Sequence, residues 1–260
     1  MDRADVEAYL ARIGVRGAVR VDAGWLREMQ LRHLCAVPFE NLSIHLGEPI
    51  VLDERALLEK IVGRRRGGFC YELNGAFAGL LSALGFDVTL LSARVFSPRG
   101  LGPPFDHLAL RVRAPDPWLV DVGFGRFSRH PLRLDTRAPQ QDPAGVFEIR
   151  EAAHGDVDTV HDGTPQYRIE PRPRELDDFI PTCWWAQTSP ASHFTQSLVC
   201  SRLTDTGAVT LAGRRLIRTV AGERHEDTLT DDAETLAAYR EHFGVELDRV
   251  PSVRAVTVPV

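Results

Sequence analysis

Residues 64–77 of the chain read RRRGGFCYELNGAF, with two glycines before Cys70 and a run of apolar residues at helical spacing after it. The spacing predicts a helix from about Cys70 to Leu84, which Gly85 would end. Cys70 would then lie at a helix N-terminus, where free N–H groups and the helix dipole favour a thiolate over a thiol. We expect the two glycines to let a substrate approach the sulfur closely.

This stretch alone leaves two interpretations of Cys70 open. Free cysteines are mostly buried and structural, whereas the glycine pair and the helix start favour a reactive one. A nucleophilic cysteine needs a base, and the base needs an orienting group. His107, which opens HLALRV, and Asp121, within WLVDV, are candidates for these roles. A carboxylate among apolar residues is costly to bury unless it is paired. Each residue could also be structural, His107 as a surface or core histidine and Asp121 as a turn former.

Asp106 is the rival carboxylate, because it is adjacent to His107 in the sequence. Successive residues of a strand point to opposite faces of the sheet. We therefore expect the Asp106 side chain to diverge from the imidazole. Asp121, on the next predicted strand, is the better placed partner.

The chain around this stretch is predicted to form helices first and strands afterwards. Apolar spacing and cap residues predict earlier helices at 6–13, 25–35 and 54–62. After Gly85 the apolar period changes to two, which predicts strands at 88–95, 107–112 and 118–122. The region 135–192 is expected to be irregular, with 171–176 as a connection. An antiparallel meander is predicted at 197–203, 208–212 and 215–220, followed by a helix at 233–243.

Composition and charge exclude several classes of protein. The chain has 260 residues, of which 43% are hydrophobic and 26% charged, values typical of one large globular domain or a few small lobes. Its net charge of −5 gives no electrostatic footprint for nucleic acid. No apolar run approaches the roughly 18 residues of a membrane span. The opening residues, MDRADVEAYLARIG, are too charged for a signal peptide.

The four cysteines are too few and too scattered for a disulfide framework. The sequence has no CxxC or HExxH pattern, so we expect no metal site. Free thiols are typical of a reducing compartment. We therefore expect a cytoplasmic protein with no membrane or nucleic-acid partner.

Several motifs together resemble one family. RGGFCYELNGAF, DHLALRV and WLVDVGFG occur in the order and at about the spacing of the arylamine N-acetyltransferases. YLARIG and PFENLSIHLGEPI resemble the N-terminal signatures of that family, and SHFTQSL is a fainter match. The likeness implies an α+β fold with a cysteine-protease-like core. In that fold, residues 1–85 form a helical bundle that carries the nucleophile, 86–190 a β-barrel that carries the histidine and aspartate, and 191–260 an α/β lid.

The resemblance also implies an enzyme and its mechanism. It makes Cys70 the nucleophile, His107 the base and Asp121 the orienting carboxylate of a catalytic triad. The enzyme would move an acetyl group from acetyl-CoA to an arylamine or arylhydrazine through an acetyl-cysteine thioester, a reaction of xenobiotic metabolism. Acetyl-CoA would be a co-substrate, with no metal and no permanently bound cofactor. The backbone N–H of Tyr71 is a candidate donor for an oxyanion hole.

Further residues match positions of the family with less specificity. Three match its apolar acceptor pocket and could equally be core residues: Phe39, Val95 and Phe194. Gly125 matches a glycine near the coenzyme A site and could equally be a plain turn glycine. Arg66 and Glu40 resemble a structural ion pair beside the nucleophile. The run 64–66 is a weaker candidate for contact with coenzyme A phosphates, because charge runs are usually solvated.

Two other functions would keep the same triad. Amide synthases of this family release and cyclise ansamycin polyketides, and their acyl group would arrive on an acyl carrier protein. The loop at 96–106, FSPRGLGPPFD, differs from the family. It leaves open whether the acceptor is that of acetyl transfer or that of amide synthesis. A cysteine hydrolase or thioesterase would use water as the acceptor, which the apolar surroundings of the motifs disfavour.

Overall fold

Helices form most of the first part of the chain in the computed structural model, which describes residues 1–125 and 127–253. They are α1 (Arg3–Arg12), α2 (Ala23–Ala36), α3 (Leu42–Leu46), α4 (Glu54–Leu58) with a π-helical turn (Glu59–Gly63), and α5 (Cys70–Ala83), while a short strand, β1 (Phe39–Glu40), precedes α3. The side chains of Asp2, Asp22 and Asp53 cap α1, α2 and α4 by accepting hydrogen bonds from first-turn N–H groups. The predicted helices are therefore confirmed in this part of the chain.

Strands between Asp87 and Arg174 form a large antiparallel sheet. They are β2 (Asp87–Ser97), β3 (Gly100–Leu101), β4 (His107–Ala114), β5 (Asp116–Val120), β6 (Leu132–Arg133), β7 (Gln140–Asp142), β8 (Gly145–Glu151), β9 (Val157–His161) and β10 (Thr164–Arg174). Their order is β6-β5-β4-β2-β10-β9-β8-β7, and β3 pairs with β2. The Gln140 side chain joins the two edges, accepting from Arg133 N at 2.7 Å and donating to Arg133 O at 3.0 Å. The sheet is therefore a nearly closed barrel.

The prediction that residues 135–192 are irregular is wrong. β8, β9 and β10 lie in this region and pair with one another in antiparallel register. β10 contains Pro171 and Pro173, and its pairing with β2 shifts register between Ile169 and Pro173. Prolines and a bulge interrupt the apolar alternation by which a strand is predicted. The first residues of the expected connection therefore continue a strand.

The last described part of the chain adds a second sheet flanked by helices. Its elements are α6 (Ile180–Thr188), α7 (His193–Gln196), β11 (Val199–Thr204), β12 (Gly207–Ala212), β13 (Arg215–Val220), β14 (Glu223–Thr228) and α8 (Asp232–Ala238). The strand order is β1-β11-β12-β13-β14, so β1 joins this sheet, with Phe39 opposite Ser201. The meander and the last helix are confirmed, and β14 is an additional strand. The division into domains at residues 85 and 190 stays a prediction.

The largest hydrophobic core holds α5 against β4. Leu73 and Phe77 of α5 are fully buried, as are Leu108 and Leu110 of β4 in the same cluster. Burying a side chain of this size contributes roughly 1.5–3 kcal/mol. The start of α5 and the start of β4 are thus fixed relative to each other. Within the described ranges, no helix is long and apolar enough to cross a membrane.

Candidate active site

Cys70 is the first residue of α5 and lines a cavity of about 920 Å³. The helix begins here because Phe69 has an extended backbone and the Glu72 carboxylate accepts a hydrogen bond from Phe69 N at 3.2 Å. Burial raises the pKa of the Cys70 thiol well above its ordinary value, and a hydrogen bond from the Leu108 backbone offsets only part of this rise. The helix N-terminus alone therefore does not produce a thiolate. The proton has to move to a neighbouring base.

The two glycines before Cys70 do not open a path for substrate, so that expectation is wrong. A Cβ on Gly67 would lie 1.8 Å from the Pro38 carbonyl oxygen, and a Cβ on Gly68 would lie 2.6 Å from Glu72 Oε2. Neither glycine lines the cavity. They instead allow the backbone before β1 and the capping carboxylate to pack closely against the start of α5.

His107 and Asp121 lie on neighbouring antiparallel strands, His107 as the first residue of β4 and Asp121 directly after β5. His107 Nε2 is 2.7 Å from Asp121 Oδ2, and both side chains are buried. Phe124 and Tyr167 pack against the imidazole, with ring centroids 5.1 and 5.0 Å away. Because Nε2 is bonded to the carboxylate, Nδ1 remains to exchange a proton. His107 lines the same cavity as Cys70.

The Asp121 carboxylate is bound by four groups. His107 Nε2 and Tyr167 OH bind Oδ2 at 2.7 and 2.9 Å, while Asn74 Nδ2 and Gly123 N bind Oδ1 at 2.9 Å each. Burial by itself would raise the pKa of this carboxyl. The charge and hydrogen bond of His107, with the bonds from Asn74 and Gly123, outweigh burial and lower the pKa below its ordinary value. Asp121 is therefore held as a carboxylate inside the protein.

Asn74 and Tyr167 are site residues that the sequence analysis did not identify. Asn74 follows Cys70 by one helical turn, donates to Leu108 O at 2.7 Å and accepts from Val122 N at 2.9 Å. An amide four residues after a candidate nucleophile lies on the same face of the helix, and that spacing is a usable signal. Tyr167 carries no such signal, because it belongs to β10, where the sequence pattern predicted no strand.

Asp106 lies in the cavity but is not hydrogen-bonded to His107. Asp106 Oδ2 accepts from Val95 N at 3.4 Å, and burial raises the pKa of this carboxyl. His193, on α7, adds a second imidazole to the cavity wall. Burial lowers the pKa of His193, and Asp106 counteracts only part of that effect. Asp106 and His193 thus add a carboxyl group and an imidazole to the cavity beside Cys70 and His107.

Phe39, Val95 and Phe194 line the cavity beside Cys70. The Phe39 and Phe194 rings are in contact, with centroids 6.3 Å apart, and form a continuous apolar wall. Gly125 does not line this cavity. It lies in a narrow neighbouring recess that Phe39 also lines, with φ at +84°, so its backbone conformation favours glycine.

Two buried ion pairs support the start of α5. Arg66 and Glu40 are 2.9 Å apart, and Lys60 Nζ lies 2.5 Å from Glu72 Oε1. Burial alone would raise the pKa of Glu40, but the charges of Lys60 and Arg66 hold that pKa below its ordinary value. The pKa of Glu72 stays raised, because burial outweighs the charge of Lys60 there. Because Arg66 is buried in this pair, the run 64–66 does not form one cationic surface for phosphates.

Known proteins match nearly the whole chain. The sequence profile of a family described as N-acetyltransferase matches residues 22–252. An arylamine N-acetyltransferase of Mycolicibacterium smegmatis is 36% identical over 256 residues, which cover 94% of this chain and 92% of that protein. The solved arylamine N-acetyltransferase of Salmonella typhimurium has a TM-score of 0.88 at 31% identity, covering 99% of this chain and 96% of that one. The Mycobacterium marinum arylamine N-acetyltransferase in complex with CoA has a TM-score of 0.83 at 33% identity, covering 92% of each chain.

Proposed function

This chain belongs to the arylamine N-acetyltransferase family, and from that membership we propose that it transfers an acetyl group from acetyl-CoA to an arylamine or arylhydrazine. One observation carries the proposal: Cys70 shares a cavity with His107, whose imidazole is bonded to the buried Asp121. A thiol, an imidazole and an orienting carboxylate in this arrangement suit acyl transfer through a covalent intermediate.

The first half-reaction acetylates Cys70. The Sγ proton moves to His107 Nδ1, and the thiolate attacks the thioester carbonyl of acetyl-CoA. The tetrahedral intermediate then expels the coenzyme A thiolate, which takes the proton from Nδ1 and leaves as a thiol. Because burial opposes an isolated thiolate, the Cys70 thiolate depends on the imidazolium of His107 beside it. The Asp121 carboxylate, bonded to Nε2 of that ring, in turn stabilises the imidazolium.

The second half-reaction moves the acetyl group to the amine. The amine nitrogen attacks the acetyl carbonyl while His107 Nδ1 accepts the amine proton. The carbon–sulfur bond breaks, and the departing Cys70 sulfur takes that proton back, which restores the starting enzyme. Tyr71 is the second residue of α5, so its N–H has no acceptor within the helix and can donate to the oxyanion in both steps.

We assign the acceptor ring to the apolar wall formed by Phe39, Val95 and Phe194. Sites for small molecules are mostly apolar, with few polar groups to orient the ligand. Trp185 of α6 extends this wall. An apolar wall beside the acetyl-cysteine also keeps water away, which disfavours the hydrolase alternative.

Coenzyme A as the donor is supported by the M. marinum relative, whose structure is a complex with CoA. The amide-synthase alternative and an acyl carrier protein partner have no such support among these relatives. A cytoplasmic location is also part of the proposal, because all four cysteines are free thiols.

Mass spectrometry of the intact protein and of its peptides tests the proposed function. Acetyl-CoA without an acceptor should add one acetyl group to the Cys70 peptide, and an aminobenzoate should then remove it as the acetylated amine. Cys70→Ser should stay unlabelled, because this arrangement does not deprotonate a hydroxyl at neutral pH. The control Cys35→Ser, at a half-buried thiol, should label like the wild type. Acetylation at Cys183 or Cys200 instead would contradict the proposal.

A further inference from the structure

Lys60 places a cation inside the protein, next to the start of α5. It belongs to the π-helical turn Glu59–Gly63, a kind of turn that is rare and often occurs at functional sites. Its ammonium lies 2.5 Å from Glu72 Oε1, and the two residues have only 5% and 1% of their surfaces exposed. Burying two charges is costly, and a hydrophobic pair of similar volume is often at least as stable. Stability alone therefore does not account for this ion pair.

Glu72 connects that ammonium to the backbone around Cys70. Its other carboxylate oxygen, Oε2, accepts the hydrogen bond from Phe69 N at 3.2 Å. The backbone at Gly68 packs against the same oxygen, since a Cβ there would lie 2.6 Å from it. Cys70 and Tyr71 are the two residues between Phe69 and Glu72. One carboxylate therefore closes the turn that carries the Cys70 sulfur and the Tyr71 N–H.

The charge state of Glu72 depends on the groups around it. Burial raises the pKa of Glu72 above its ordinary value, the ammonium of Lys60 opposes this rise, and the carboxylate of Glu40 adds to it. Arg66 also lies near Glu72, but it is bonded to Glu40 at 2.9 Å. Cys183 of α6 lies near the carboxylate as well, and burial raises the pKa of that thiol to about 12, so it stays neutral. Lys60 is therefore the cation that keeps Glu72 ionised.

We propose that Lys60 is a positioning residue: by keeping Glu72 ionised, it holds Cys70 in place at the start of α5. This inference rests on the proposed acetyl transfer, whose first step takes place at Cys70. A protonated Glu72 would bind Phe69 N more weakly, because hydrogen bonds to ionised groups are stronger than those between neutral groups. It would also leave the buried Lys60 ammonium without its bonded counter-charge. Protonation of Glu72 should therefore loosen the turn and slow reactions at Cys70.

The pH profile of Cys70 alkylation by iodoacetamide tests this role without requiring acetyl transfer. In Lys60→Met the carboxyl of Glu72 loses its cation, and an opposite charge at this distance lowers a carboxyl pKa by about 1–3. The acid limb of the profile should therefore move to higher pH by about one pH unit or more. On the acid side of both profiles, this is a loss of rate of about tenfold or more. The rate of Cys70 acetylation by acetyl-CoA should show the same shift.

A double variant separates positioning from a purely structural role. In Lys60→Met/Glu72→Gln, position 72 no longer titrates, and its amide oxygen can still accept from Phe69 N. The acid limb should therefore return to its wild-type position. The control Arg55→Met removes a cation of α4 whose side chain is 85% exposed, and it should leave the profile unchanged.

An acid limb that stays at the wild-type pH in Lys60→Met would overturn the proposal, as would a double variant whose limb remains shifted. A uniform loss of rate at every pH would assign Lys60 to stability alone and would overturn it too. Should Lys60→Met not fold, Lys60→Gln takes its place with the same shift expected, since it removes the charge but can still donate to Glu72. If no acetyl-cysteine forms in the wild type, the proposed function fails, whereas the alkylation profile still decides the role of Lys60.

Discussion

In the proposed mechanism the chemistry of the site depends most on Asp121, because its carboxylate fixes the ring of His107 and balances its charge. Asp121→Asn removes that charge and offers the ring an amide N–H, which selects the wrong imidazole tautomer. We expect acetyl-cysteine formation to slow by about 10⁴-fold, the scale of the same change in a serine-protease triad. Rapid-quench mass spectrometry with acetyl-CoA measures this rate.

Asp106→Asn is the matched control for that variant. Asp106 lies in the same cavity, but its carboxylate binds Val95 N and not the imidazole. Its rate of acetylation should therefore stay within severalfold of the wild type. An inactive Asp106→Asn together with an active Asp121→Asn would mean that the wrong carboxylate has been assigned.

At the scale of secondary-structure elements, the Asn74 side chain joins α5 to β4 and to the residues that follow β5. Asn74→Ala would leave Leu108 O and Val122 N without their buried partners and remove one donor to Asp121. An unsatisfied buried polar group costs about 1–3 kcal/mol. We expect the free energy of unfolding, measured in urea, to fall by about 3 kcal/mol, and acetylation of Cys70 to slow as well.

Ser82→Ala provides the comparison for Asn74→Ala, since Ser82 lies on the exposed face of the same helix. Its stability and acetylation rate should both match the wild type. If Asn74→Ala loses stability but keeps the wild-type acetylation rate at a temperature where it is folded, Asn74 holds the elements together without positioning Asp121.

Elements with a regular apolar period could be predicted from the sequence, and the others could not. α5 has apolar residues at helical spacing, and β4 alternates, so both were predicted close to their observed ends. β14, ERHEDT, has no apolar residue, and β10 contains three prolines. Such strands form because of the partners beside them in the sheet, which are distant in sequence.

The residues of the candidate active site likewise differ in whether a sequence pattern marks them. Cys70, His107 and Asp121 could be proposed from the sequence because each lies at the end of a patterned element, within a motif. Tyr167 could not, since its bond to Asp121 spans 46 residues and depends on β10. The expected place of Gly125 near the coenzyme A site stays a prediction; its backbone lines the recess beside the Cys70 cavity.

At the scale of the whole molecule, buried carboxylates couple folding to pH. The pKa of Asp121 is lower in the folded chain than its ordinary 3.8, because His107 and the other donors outweigh burial. Its stabilising contribution is therefore complete above pH 3.8 and is lost as the pH falls through the folded value. We expect the Tm of the wild type to fall more steeply than that of Asp121→Asn as the pH is lowered below 3.8. Equal slopes would show that Asp121 titrates alike in the folded and unfolded chain.

Lys60, bound to Glu72 inside the protein, is the chain's single lysine. All other cationic side chains that carry a permanent charge are arginines, whose guanidinium groups stay protonated and are poor nucleophiles. The folded surface thus offers no lysine amine to a thioester. An enzyme that forms an activated acetyl group in every cycle therefore exposes no lysine on its own surface, or on neighbouring copies, that this group could acetylate. We expect prolonged turnover to add no acetyl group to a lysine side chain.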